Sequence, residues 1–349
     1  MKKFDSKSCE EIMTTVYKPI EFVIEGLIAQ GLYILAGAPK VGKSWLSLDI
    51  CLSIAKGEKV LGNETKCSTA LYLCLEDSFE RIQKRLYELT VEPTDNLHFA
   101  IMADTLGGGL ENQIKQFKTE HSDLKIIVID TLQMIRESTE NSYSSDYKEL
   151  SVLKNLADKL KIAIVLVHHT RKSSDSDPFN MISGSTGLSG CVDGSFVLIE
   201  TKRGNRNAKL HCVGRDIENA EINLHFDSNI KKWIVTDEPT TPKSKDNIFL
   251  SAVYLFIKER IHFEGTATEL VEQLKSVTDE EFFANRVTRD LVQNGYEMSR
   301  YGIDFNHKRT HSGRLICLDY CAERDGSDGK NGSEDAVTEQ LIEVSQMSI

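Results

Sequence analysis

No stretch of this 349-residue chain is apolar for long enough to cross a membrane, and the opening Met1-Lys2-Lys3-Phe4-Asp5 lacks the apolar region of a secretory leader. No membrane role is expected, and a cytoplasmic location is. The eight cysteines (Cys9, Cys51, Cys67, Cys74, Cys191, Cys212, Cys317 and Cys321) include no C-x-x-C pair, so neither a zinc site nor a disulfide framework is indicated. Positive charge is also short. The net charge of −11 excludes a protein that coats nucleic acid with its whole surface. Part of that deficit is local: residues 322–349 hold seven acids against Arg324 and Lys330, in a Gly-, Ser- and Asp-containing tail that reads as disordered. What is present, 40% hydrophobic and 27% charged residues, is the composition of a soluble globular protein of one large domain or two ordinary ones.

One stretch organises the rest. The strand-like run Leu32-Tyr33-Ile34-Leu35-Ala36 empties into Gly37-Ala38-Pro39-Lys40-Val41-Gly42-Lys43-Ser44, the pattern G-x-x-x-x-G-K-S, and a helical pattern begins at Trp45. Strand, loop and helix in that order make a phosphate-binding loop. Gly37 and Gly42 let the backbone curl its N–H groups toward phosphate oxygens, and the helix adds its positive end. Lys43 is expected to reach the β- and γ-phosphates and the Ser44 hydroxyl to sit on Mg²⁺. A nucleoside triphosphate is the expected ligand.

Strand patterns at 32–36, 70–75, 97–102, 124–130 and 162–167 alternate with helical ones, which predicts an α/β fold with right-handed crossovers and a mainly parallel sheet. Short strands at 195–201, 208–213, 221–226 and 232–235 read as an antiparallel extension. The Pro-, Ser- and Thr-rich stretch from Asp237 to Ser244 reads as a linker. Beyond it, helical patterns at about 247–260, 267–275 and 283–294 precede a strand–turn–strand at 301–305 and 314–318, together a winged helix. The expected organisation is an extension at 1–18, a nucleotide-binding domain at 19–236, a linker at 237–246, the winged helix at 247–321 and the acidic tail.

Asp130 ends the apolar run from Leu124 and can hold a water on Mg²⁺ beside the phosphate loop. Glu76, at the end of the 70–75 strand, can orient or deprotonate the attacking water, while the adjacent Asp77 suits a helix N-terminus at least as well. His168 and His169 end the strand that follows. Adjacent strand residues face opposite sides, so only one can touch the γ-phosphate; pattern does not separate them, with His168 slightly preferred.

In this order, Gly37–Ser44, Leu75-Glu76-Asp77, Val128-Ile129-Asp130-Thr131, Val167-His168-His169-Thr170 and Ser183-Gly184-Ser185-Thr186 resemble RepA-like ATPases of the RecA/DnaB superfamily, over residues 20–236. The resemblance implies a RecA-like core and a ring, usually hexameric, with ATP between neighbouring subunits. It implies Lys43 and Ser44 on phosphate and Mg²⁺, Glu76 as the base, and Arg85 on phosphate. Single-stranded DNA is expected in the ring channel, met by loops 136–147 and 171–185, the latter with Arg171, Lys172 and Phe179. The trans-acting arginine that such ATPases carry after the Gly-Ser-Ser segment is missing, since Cys191-Val192-Asp193-Gly194 stands there. Arg215 is the preferred substitute, with Lys202 and Arg203 as alternatives.

Arg286, Arg289 and Asn294 on the third C-terminal helix, with Arg300, Lys308, Arg309 and Arg314 at the wing, make that module a candidate for duplex DNA. The expected function is an ATP-hydrolysing DNA motor of a plasmid, phage or integrated element. The alternative is an ATP-gated DNA-binding regulator that does not unwind. A small-molecule kinase stands third, for want of a basic lid segment.

Overall fold

The structure of the protein is a computed structural model. It describes residues 4–136, 143–171, 175–182, 186–202, 204–236, 247–278, 280–310 and 313–325. Two compact units divide the chain: Ile20–Thr241, and Met1–Pro19 together with Pro242–Ile349. No described helix is long and apolar enough to cross a membrane.

After α1 (Cys9–Thr14), the larger unit runs β1 (Phe22–Ile24), β2 (Ile28–Ala29), β3 (Gly31–Gly37), α2 (Lys43–Lys56), β4 (Thr69–Cys74), α3 (Phe79–Leu89), β5 (Leu97–Ala100), α4 (Leu110–Glu120), β6 (Leu124–Asp130), α5 (Tyr143–Leu160), β7 (Ala163–His169), α6 (Thr186–Cys191), β8 (Gly194–Glu200), β9 (Asn207–Gly214), β10 (Ala220–Asp227) and β11 (Lys232–Val235). Its main sheet has the order β11-β10-β9-β8-β3-β7-β6-β4-β5. The strands from β8 to β5 are parallel, and β9, β10 and β11 add antiparallel neighbours. Helices cover both faces, so β3 is buried throughout and reads as an unbroken apolar run. Tyr33, Leu35, Val128 and Val165 pack with α2 and α3 on one face. Leu32, Ile34, Ile127 and Ile129 pack with α4 and α5 on the other.

The smaller unit adds α7 (Ile248–Arg260), β12 (His262–Thr266), α8 (Ala267–Leu274), α9 (Ala284–Arg300), β13 (Tyr301–Thr310) and β14 (Gly313–Asp325). Its antiparallel sheet has the order β12-β14-β13, and Phe256, Leu270, Leu291, Ile303 and Leu318 form its core. Four features depart from expectation. β12 is an unforeseen strand, because only Phe263 and Gly265 of its five residues are buried and the apolar signal is too thin. α9 continues to Arg300 rather than about 294. The hairpin is longer than 301–305 and 314–318, since main-chain pairing runs on through charged residues to Thr310 and Gly313. β14 also carries residues 322–325, which composition had placed in the disordered tail. Residues 237–246 and 326–349, the linker and the rest of that tail, lie outside the described residues.

Within the first eighteen residues, which show no pattern in the sequence, α1 has a capping box between Ser8 and Glu11. Val16 packs so closely on α9 that a Cβ added at Gly295 would lie 2.6 Å from it.

Candidate nucleotide site

β3, β7, β6 and β4 lie side by side, with Gly37 paired to His169, Val167 to Asp130, and Asp130 to Cys74. Parallel strands present their carboxyl ends on one edge of the sheet, so the segments that follow them open at one place. The result is a cleft of about 570 Å³ lined by Pro39, Lys40, Gly42, Lys43, Ser44, Trp45, Glu76, Arg85, Asp130, Thr131 and His169.

Lys43 crosses the inside of its own loop. Its Nζ donates to the carbonyls of Gly37 at 2.8 Å and Ala38 at 3.0 Å, and His169 Nδ1 stands 3.5 Å away. The side chain is 6% exposed. Burial outweighs the attraction of Asp130 and Glu76 and lowers its pKa to about 8. Val41 packs against the core beside the loop. Gly42 has φ 101°, and a Cβ there would stand 2.9 Å from Trp233 Cζ2, so glycine is required on two counts. Trp233 Nε1 also donates to the Gly42 carbonyl at 3.3 Å. Rings from Trp45 to Phe226 to Trp233 tie the start of α2 to the antiparallel strands, at centroid distances of 6.2 and 5.2 Å.

Ser44 Oγ donates to Asp130 Oδ2 at 2.8 Å, and the buried Tyr72 hydroxyl donates to the same oxygen at 2.8 Å. A hydroxyl beside an oriented carboxylate is the hard-oxygen donor set that Mg²⁺ takes, so these residues fit that ion. Glu76 is exposed to the cleft, and its Oε1 accepts from Thr131 Oγ1 at 3.0 Å. Asp77 is engaged elsewhere, 2.5 Å from Arg85 and 3.8 Å from Arg81. The two adjacent acids are thereby separated: Glu76 faces the cleft and Asp77 holds α3. Arg85 lies 5.8 Å from the Trp45 ring, between its ion pair and the cleft.

Other expectations resolve differently. His169, not His168, lines the cleft; His168 is 7% exposed and faces the opposite side of β7, as strand alternation requires. Arg215 is 3.5 Å from Asp193 and follows Gly214, which pairs with Gly194 at the start of β8. That is the amino end of the parallel strands, opposite the cleft. Lys202 follows the carboxyl end of β8, where Leu198 pairs with Gly37, and is exposed; Arg203 lies outside the described residues.

Of the two loops expected to meet DNA, residues 137–142, 172–174 and 183–185 (including Lys172) are outside the described residues. Arg136 is buried and paired with Glu149 at 2.7 Å rather than exposed for a ligand. Arg171 pairs with Asp175 at 3.3 Å, and Phe179 packs against the layer of α4 and α5 rather than standing free to stack. On α9, Asn294 accepts from Asn247 and donates to the Asp290 carbonyl, so its amide serves the helix junction. Tyr72, Thr131 and Trp233 are the cleft's unforeseen supports. Tyr72 had one signal, a hydroxyl two residues before the end of an apolar strand; Trp233 had none, being 191 residues from Gly42.

Residues 7–175 match a family model described as AAA domain. The DNA repair protein RadA of Haemophilus influenzae is 27% identical over 187 residues, covering 52% of this chain and 36% of that protein. RadA of Rickettsia prowazekii is 27% identical over 181 residues, covering 48% and 37%. The chain thus spans little more than a third of the length of these relatives. A solved DnaB-like replicative helicase superposes with a TM-score of 0.52 at 14% identity, covering 65% of this chain and 66% of that one. A solved ATPase domain superposes with a TM-score of 0.50 at 14% identity, covering 60% and 85%. At that identity the likeness bears on the fold. Fold, cleft and family match agree on a phosphate-loop ATPase domain with the fold of RecA-like helicase ATPase domains, similar over residues 7–175 to the AAA domain family.

Proposed function

We propose that the protein is an ATP-driven DNA motor of RepA-like type. The observation that carries this reading is the convergence of Lys43, Ser44, Asp130 and Glu76 on one cleft. ATP would lie with its phosphates on the loop from Gly37 to Ser44, held by Lys43 and approached by Arg85. Ser44, and Asp130 through a water, would hold Mg²⁺, which when bound neutralises charge on the phosphates. Glu76, held by Thr131, accepts a proton from the attacking water. His169 stands beside Lys43, where loss of the γ-phosphate changes its surroundings and can be passed along β7 to the segment after it.

The names of the relatives, a DNA repair protein and a replicative helicase, support DNA as the partner, and the RepA-like reading implies a homo-oligomeric ring, hexameric in this reading. Lys202, on the cleft's side of the sheet, replaces Arg215 as the residue offered to a neighbouring subunit's nucleotide. Helices α7, α8 and α9 with the antiparallel sheet of the smaller unit support a winged helix, with Arg286 and Arg289 exposed on α9 for duplex DNA. Hydrolysis should rise with single-stranded DNA, and forked DNA should be unwound. Hydrolysis without strand displacement would instead identify the ATP-gated regulator, a reading favoured by the engagement of Arg136, Arg171 and Phe179 within the fold.

A further inference from the structure

We propose that the outer face of the β12–β14 pair is a zinc-class metal site, with His262, Glu264 and Cys317 as ligands and Asp319 orienting the histidine. His262 and Glu264 are alternate residues of β12, and Cys317 and Asp319 are alternate residues of β14, so each pair shares one face. The register sets His262 opposite Asp319 and Glu264 opposite Cys317. Between them, Phe263, Ile316 and Leu318 are buried in the core, which fixes the alternation and turns the four polar side chains outward. One donor atom from each of His262, Glu264 and Cys317 lies within 4.8 Å of the other two.

A set that mixes an imidazole nitrogen and a sulfur with one carboxylate oxygen suits zinc and its neighbours rather than Mg²⁺ or Ca²⁺, which take oxygen alone. Bonds of about 2.0–2.3 Å put tetrahedral ligands roughly 3.3–3.7 Å apart, so the exposed His262 and Glu264 need close on the half-buried Cys317 by only about 1 Å. The partner of the histidine is already in place. Asp319 Oδ1 accepts from His262 Nδ1 at 2.6 Å, and its other oxygen accepts from the Cys317 thiol at 3.4 Å. A carboxylate on one ring nitrogen leaves the other for an ion and fixes the ring's orientation. Asp304 of β13, paired in register with Asp319, adds another acid. On binding, the thiol proton passes to solvent as the metal–sulfur bond forms, and water takes the fourth position. No sequence spacing announces this site, because its ligands come from two strands more than fifty residues apart.

The test uses the full-length chain, stripped with chelator and titrated with Co²⁺ and then Zn²⁺ without nucleotide. Co²⁺ should give thiolate-to-metal charge transfer saturating at one equivalent, and Zn²⁺ should displace it. Cys317→Ser should lose the band while keeping ATP hydrolysis, and Cys321→Ser should keep both. Asp319→Asn should retain the band with affinity weakened roughly ten- to hundredfold. If Cys317→Ser does not fold, Glu264→Gln and His262→Ala must each weaken Co²⁺ binding. Absence of the band in the wild-type protein, or its survival in Cys317→Ser through another thiol, overturns the proposal and leaves a solvated face with a histidine–aspartate pair.

Discussion

The buried lysine of the phosphate loop should make the nucleotide-free protein gain stability with rising pH relative to a variant without that charge. Lys43 titrates near 8 in the fold and at 10.5 when unperturbed. Below pH 8 both folded and unfolded chains carry the charge, and folding bears its full burial penalty. Between 8 and 10.5 the unfolded chain binds the extra proton, so stability rises with pH until the penalty is gone. At about 1.36 kcal/mol per pKa unit, the gap corresponds to about 3 kcal/mol. Lys43→Met keeps the stem and removes the charge. It also loses the bonds to the Gly37 and Ala38 carbonyls, but that loss is nearly constant with pH. The assay is urea unfolding of both proteins at a series of pH values from 7 to above 10, without nucleotide. The stability difference between variant and wild type should change by about 3 kcal/mol across that range, in favour of wild type as pH rises. Other titrating groups are common to both and cancel. ATP with Mg²⁺ at a hundredfold excess over Kd should add about 2.7 kcal/mol to wild type and nothing to Lys43→Met. Parallel pH curves for the two proteins would refute the account of Lys43 as a charge held at a cost in stability for phosphate.

Glu76→Gln should bind ATP but lose hydrolysis by roughly 10²- to 10⁴-fold in single-turnover assays; normal turnover removes Glu76 as the base. Gly42→Ala should lower stability by about 2–4 kcal/mol, from left-handed backbone strain and the clash with Trp233, and should abolish nucleotide binding. A thermal melt and a fluorescent-nucleotide titration read both effects. Tyr72→Phe removes one charge-assisted bond to Asp130, about 1.5–3 kcal/mol, so kcat should fall roughly ten- to hundredfold. The melting temperature separates that effect from a general loss of fold.

Residues near in sequence announced most of the ATPase domain. A buried parallel strand must be apolar along its length, so β3, β6 and β7 stand out, and the loop from Gly37 to Ser44 needs glycine where its backbone turns. Strand alternation showed that only one of His168 and His169 could face the nucleotide. What no local pattern contains is which one, because that depends on which side of β7 faces Lys43. The same holds for Arg215, displaced to the opposite end of the sheet by the direction of β9, and for Trp233, brought to Gly42 by an antiparallel extension 191 residues on. The β12–β14 face makes the point most plainly, since cross-strand register alone brings a histidine, a glutamate and a cysteine together. Chain-local physics chose the elements and the phosphate loop. Pairing across the sheets chose the side chains that stand beside them, because register joins residues that sequence keeps far apart.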